Sequence, residues 1–165
     1  HEKGETPDPP TPPAPTGSNI VLTFPDDNSA NNKVGSYTDT WTAKVGSQEF
    51  TIENFNNNNW NNWTFIKCGR KANESTASIS TTIGDKISKV TVTFDNVTAG
   101  DVTSAKLYVG ETSVSATELK AGAVDLVVTS PAAGQTYKLE FVCKTSSENK
   151  NGFVVINKLE YVVAE

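Results

Sequence analysis

Apolar residues recur at every second position along most of this chain, the spacing of strands that bury one face. Ile20, Leu22 and Phe24 share one phase, with Val21 and Thr23 on the other. The alternation returns at Trp41, Ala43 and Val45, at Phe50 and Ile52, and at Val90, Val92 and Phe94. It continues at Ala105, Leu107 and Val109, at Val124, Leu126 and Val128, and at Tyr137, Leu139, Phe141 and Cys143. A denser run holds Phe65 and Ile66, and Phe153, Val155, Leu159, Tyr161 and Val163 read as one face of a long last strand. Turn residues fill the gaps, among them Gly84 with Asp85, Gly100 with Asp101, Pro131, Gly134, and Asn151 with Gly152. No window carries an apolar stripe at helical spacing between caps. About ten short β-branched and aromatic runs predict an all-β antiparallel sandwich. So many strands favour a jelly roll over a seven-stranded immunoglobulin-like domain.

The first stretch is different. Pro7, Pro9, Pro10, Pro12, Pro13 and Pro15 fix φ and remove backbone donors, so residues 1–18 are expected to be a flexible, extended tether. A single sandwich domain is expected over residues 19–165. A start at His1 with no Met anywhere reads as the result of trimming.

Composition narrows the chemistry. The chain has 165 residues, 14 basic and 19 acidic, with a net charge of −5. Arg70 is its only arginine. A nucleic-acid partner needs a basic face, so none is expected. No run of 18 apolar residues exists, so no membrane span is expected. The single histidine is His1, which takes Ser-His-Asp and Cys-His catalysis and His-ligated metals out of the folded part. The acids fall at turns and on outward phases, and no pair is marked as a hydrolytic dyad. The expectation is a protein without catalytic residues or cofactor. Asp26, Asp27 and Asn28 place oxygen ligands side by side, which calcium would use, but they lack EF-hand spacing and read as an ordinary turn.

Cys68 shares the phase of Ile66, and Cys143 that of Leu139 and Phe141, so both point inward. In an exported protein such a pair forms a disulfide, which stabilises by about 4 kcal/mol on the chain-entropy model. Two buried free thiols that never meet are the alternative.

The most unusual composition lies in residues 53–71, ENFNNNNWNNWTFIKCGRK. Asparagine disfavours strand and helix and tolerates left-handed backbone, so residues 55–62 are expected to be an exposed loop. An aromatic plate beside side-chain amides suits a sugar: the ring covers the apolar face of a pyranose, and amides pair with its hydroxyls. Trp60 is the expected plate. Asn57, Asn58 and Asn59 are the expected hydroxyl partners, and Arg70 orients the ligand with Lys67 nearby. Tyr37 is a second platform, and Tyr108 on an outward phase a further one. Trp41 and Trp63 are read as core, Trp63 because it opens the dense run. On the alternative reading every Trp closes the core and the partner is a cell-surface protein.

Several of these residues carry a resemblance. Trp41, Thr42 and Ala43, then the run from Phe55 to Trp60 with Trp63, then Ile66, Lys67 and Gly69, are similar to a domain of Bacteroides-type exported proteins. Ala77, Ile79 and Thr81, Leu107 to Val109, and Asn151 to Ile156 with Tyr161 extend the likeness over most of residues 19–163. The resemblance implies a galactose-binding-like or carbohydrate-module-like jelly roll, extracytoplasmic, at the cell surface or in the periplasm of a Gram-negative bacterium. It also implies a lipid anchor upstream of residue 1, because the Pro-rich head resembles the spacer of surface lipoproteins. It carries over no defined site residues.

Overall fold

The computed structural model describes residues 13–58 and 63–165. It is all-β, with eleven strands among the described residues: β1 (Ile20–Thr23), β2 (Thr40–Val45), β3 (Gln48–Glu53), β4 (Ile66–Cys68), β5 (Ser75–Ile83), β6 (Ile87–Val97), β7 (Val102–Val109), β8 (Thr112–Ser115), β9 (Gly122–Val127), β10 (Gln135–Cys143) and β11 (Val154–Val163). One sheet runs β1–β11–β6–β9, with β4 also paired to β11; the other runs β2–β3–β5–β10–β7–β8. Every pairing is antiparallel. From β4 onward the chain alternates between the sheets except at the β7–β8 hairpin. That winding is a jelly roll, with the β2–β3 hairpin added beside β5. β1 and β4 share one edge of β11, against residues 158–161 and 154–156 respectively.

The core lies between the inward phases. Phe141 stands between Ala77 on β5 and Ala105 on β7, and the small neighbours leave room for its ring. Phe94 and Phe55 meet it edge-on, at centroid distances of 6.0 and 6.3 Å. Leu139, Leu107, Ile79, Ile52, Val90, Leu22 and Tyr161 complete the layer.

The last strand departs from strict alternation. Val154 and Ile156 face inward, the register shifts on either side of Ile156, and Leu159 and Tyr161 then face inward. A bulge inserts an extra residue there, so the single phase expected from Phe153 to Val163 is corrected to two phases.

The proline-rich segment is described from Pro13. Asp85, in the β5–β6 turn, accepts hydrogen bonds from the Thr16 and Gly17 amides, both at 2.9 Å, and from the Thr16 hydroxyl at 3.2 Å. Pro13 lies against Gly84, where any Cβ would overlap its carbonyl oxygen. Residues 13–18 are therefore held on the domain at the β5–β6 end.

Candidate functional site

The asparagine-rich segment begins where β3 ends. Asn54 takes a left-handed φ of 64°, and its amide donates to the Thr76 carbonyl at 2.7 Å. Phe55 then turns into the core, and its carbonyl accepts the Trp41 indole N–H at 3.0 Å, which fixes Trp41 in the core as expected. Asn56 pairs its backbone with Lys67 in both directions, at 2.8 and 2.9 Å. Asn57 is buried; its Oδ1 accepts from the Val34 amide at 2.8 Å and its Nδ2 donates to the Asn32 carbonyl at 3.3 Å. The exposed loop expected over residues 55–62 is thus corrected at its start, because Phe55, Asn56 and Asn57 are interior. Asn57 clamps the 32–34 turn and has no face toward solvent for a sugar hydroxyl.

Among the described residues, Asn56 Oδ1 and Asn58 Oδ1 are enclosed without a hydrogen-bond partner, a state that costs roughly 1–3 kcal/mol per oxygen. Trp60 and Asn59 lie outside the described residues.

On the far side of the segment, Trp63 and Phe65 stack at 5.0 Å with 28° between planes. Both are half-buried, so the expectation of Trp63 as core is corrected to an aromatic face at the surface. Lys67 reaches back and holds its ammonium 4.0 Å from the Trp63 ring centre, a cation–π contact. Burial first, and then the neighbouring Lys150, push the Lys67 pKa down. Arg70 is half-buried two residues past β4 and has no ion pair among the described residues. Lys67 and Arg70 thus stand as two cations at one end of the sandwich without carboxylate partners among the described residues.

Tyr37 belongs to this end but is wedged. Its hydroxyl approaches within 2.8 Å of where a Gly152 Cβ would stand, and the Lys67 side chain within 2.9 Å. Gly152 also needs its φ of 76°, so both space and backbone require glycine. Burial, and behind it the Cys68 thiol, lift the Tyr37 pKa to about 12. Tyr37 is half-buried there, with its hydroxyl turned toward Gly152. Tyr108 is half-buried on the outer face of β7, paired with Lys138 and Ser113.

Asp26, Asp27 and Asn28 are spent on the fold. Asp26 Oδ2 accepts from the amides of Lys44 at 2.8 Å and Asn28 at 3.0 Å, and Asp27 Oδ2 from Gly46 at 2.7 Å. Asn28 donates to the Thr42 carbonyl at 2.8 Å. These groups tie the 26–32 turn to β2, and no cluster of three metal-ligating side chains occurs among the described residues. Cys68 and Cys143 are free thiols, both buried, and they hydrogen-bond to each other across the two sheets. No described helix is long and apolar enough to cross a membrane.

Compared with protein-family models, with curated proteins and with solved structures, the chain finds no match.

The sequence missed two parts of the site. Phe65 was hidden by its place in an apolar run, although residues 63, 65 and 67 are spaced to share one side of an extended chain. Gly152 carried a signal only as half of a turn dipeptide.

Proposed function

We propose that this chain is a non-catalytic binding module of a bacterial cell envelope that takes a carbohydrate against the Trp63–Phe65 face. The observation that carries the reading is that half-buried aromatic pair, with the Lys67 ammonium over the Trp63 ring and Arg70 three residues further along the same segment. A pyranose ring covers aromatic surface with its C–H groups while its hydroxyls exchange hydrogen bonds with cations and amides at the rim. The resemblance to Bacteroides-type exported domains and the Pro-rich head point to the same setting, a domain set off from a membrane anchor.

The test is a glycan array probed with the full chain, followed by calorimetry on its best ligand. Trp63→Ala is expected to weaken that ligand at least about tenfold, or about 1.4 kcal/mol, with the thermal midpoint checked in parallel. Trp60→Ala measured beside it reports whether the second indole shares the ligand. Unchanged affinity in both variants would refute the site.

A second reading, a structural or adhesive surface domain with a protein partner, rests on Val127. This residue is 56% exposed on the outer strand β9, where Val109, Val114 and Val128 line a neighbouring groove beside β8. Under it, Val127→Asp abolishes partner capture and Trp63→Ala does not.

A further inference from the structure

Cys68 lies on β4, paired with Val154 of the first sheet. Cys143 closes β10, paired with Ser75 and Val102 of the second. The two side chains meet in the interior, 0% and 1% exposed, with Cys68 donating its S–H to the Cys143 sulfur. The thiols are not equivalent. Cys143 lines a 450 Å³ surface cavity with Glu74, Ser75, Thr76, Thr103 and Val142, and Ser75 Oγ is buried there without a partner among the described residues. Cys68 is sealed beneath it. The backbone register also shifts between Val142 and Cys143, so the ladder is interrupted beside the cavity.

We propose that Cys68 and Cys143 are a dithiol site that closes into a disulfide between the two sheets, with Cys143 as the entry thiol for a small-molecule disulfide. The hydrogen bond from Cys68 favours the Cys143 thiolate, the form that attacks. That thiolate bonds to one sulfur of the incoming disulfide, whose S–S bond breaks and releases one thiolate. Cys68 then gives up its proton, and its sulfur attacks the Cys143 sulfur and expels the second thiolate. Two cysteines are oxidised, the small disulfide is reduced to two thiols, and those thiols take up both protons. The new bond anchors β4, which has only three residues and carries Lys67, to the longer β10. It depends on no assumption about the ligand.

The test uses the full chain treated with oxidised glutathione, then unfolded in an alkylating reagent and weighed. The wild type is expected to remain monomeric, to lose both alkylatable thiols and to weigh less by two hydrogen atoms. Its denaturation midpoint should rise and return with reductant. Cys68→Ser should stop at a glutathione adduct on Cys143, whereas Cys143→Ser should acquire its adduct far more slowly. Both thiols still reactive, after treatment of the folded protein and after refolding with oxidised glutathione, would overturn the site, as would disulfides only between chains. Equal adduct rates in the two variants would overturn Cys143 as the entry thiol.

Discussion

The two ends of the sandwich use their polar groups in opposite ways. At the β5–β6 end, Asp85 matches three donors from Thr16 and Gly17 and closes the chain onto itself. At the other end, Asn56 and Asn58 keep enclosed oxygens without partners among the described residues, and Lys67 stands over an indole and makes no ion pair with a described carboxylate. Of the four enclosed side-chain oxygens without a partner among the described residues, those of Asn56, Asn58 and Ser75 lie toward the second end, and Tyr137 Oη on β10 lies toward the first. Buried polar groups without partners are few in native proteins, and each calls for a physical reason.

The largest expected effect comes from Gly69, which follows Cys68. It holds a φ of 105°, and a Cβ would stand 2.6 Å from the Phe153 ring. Its carbonyl also accepts the Gly152 amide at 2.8 Å. Gly69→Ala combines backbone strain with overpacking of a fully buried ring and should cost about 3 kcal/mol. Urea unfolding measures the loss. Because Gly69 ties β4 to the 152–153 turn under Tyr37, glycan binding should fall with it, while the segment held by Asp85 stays in place. A stability unchanged by this substitution would show that the loop end does not depend on this close approach.

An intermediate effect is expected at the opposite end. Asp85→Ala removes a carboxylate acceptor from two backbone amides and should cost about 1–2 kcal/mol. It should also render residues 13–18 sensitive to protease without altering the end that carries Trp63 and Phe65. The Thr16 amide, and then that of Gly17, hold the Asp85 carboxyl below its ordinary 3.8 against the opposing effect of burial. A depressed carboxyl contributes fully above its unfolded value and loses that contribution as pH falls through the folded one. The stability gap between wild type and Asp85→Ala should therefore be constant from neutral pH to about pH 5 and shrink below about pH 4. A gap that widened on acidification would contradict the assignment.

The same contrast explains what was legible in the sequence. Period two located the inward faces of β2, β3, β7, β9 and β10, since each buries one phase and its residues declare it. Strict alternation holds only for one residue per step, so it does not register the bulge near Ile156 that carries Val154 and Leu159 to the same core. β8 escaped because Thr112–Ser115 is a short, mostly polar edge strand. Position 57 shows why the site was harder to read. An amide facing a ligand and an amide clamping the Asn32 and Val34 backbone have the same composition, and only the long-range fold separates them. Trp63 failed in the other direction, since neighbouring apolar residues resemble a core whether or not anything covers them.

The smallest effect is expected midway between the two ends, where the outward pair Lys89 and Asp125 bridges β6 and β9 at 3.4 Å. Thr91 first, with Lys89 behind it, lowers the Asp125 pKa, so shift direction alone would rank this carboxyl beside Asp85. The surroundings separate them. The Asp125 side chain is 49% exposed, water screens its ion pair, and its hydrogen bonds come from side chains that solvent can replace. Asp85 is buried and holds main-chain amides from a distant part of the chain. Asp125→Ala should therefore change stability by no more than about 0.5 kcal/mol, leave glycan binding unchanged, and alter neither end. If its urea midpoint fell as far as that of Asp85→Ala, the cost of losing Asp85 would reflect charge loss in general and not its main-chain donors.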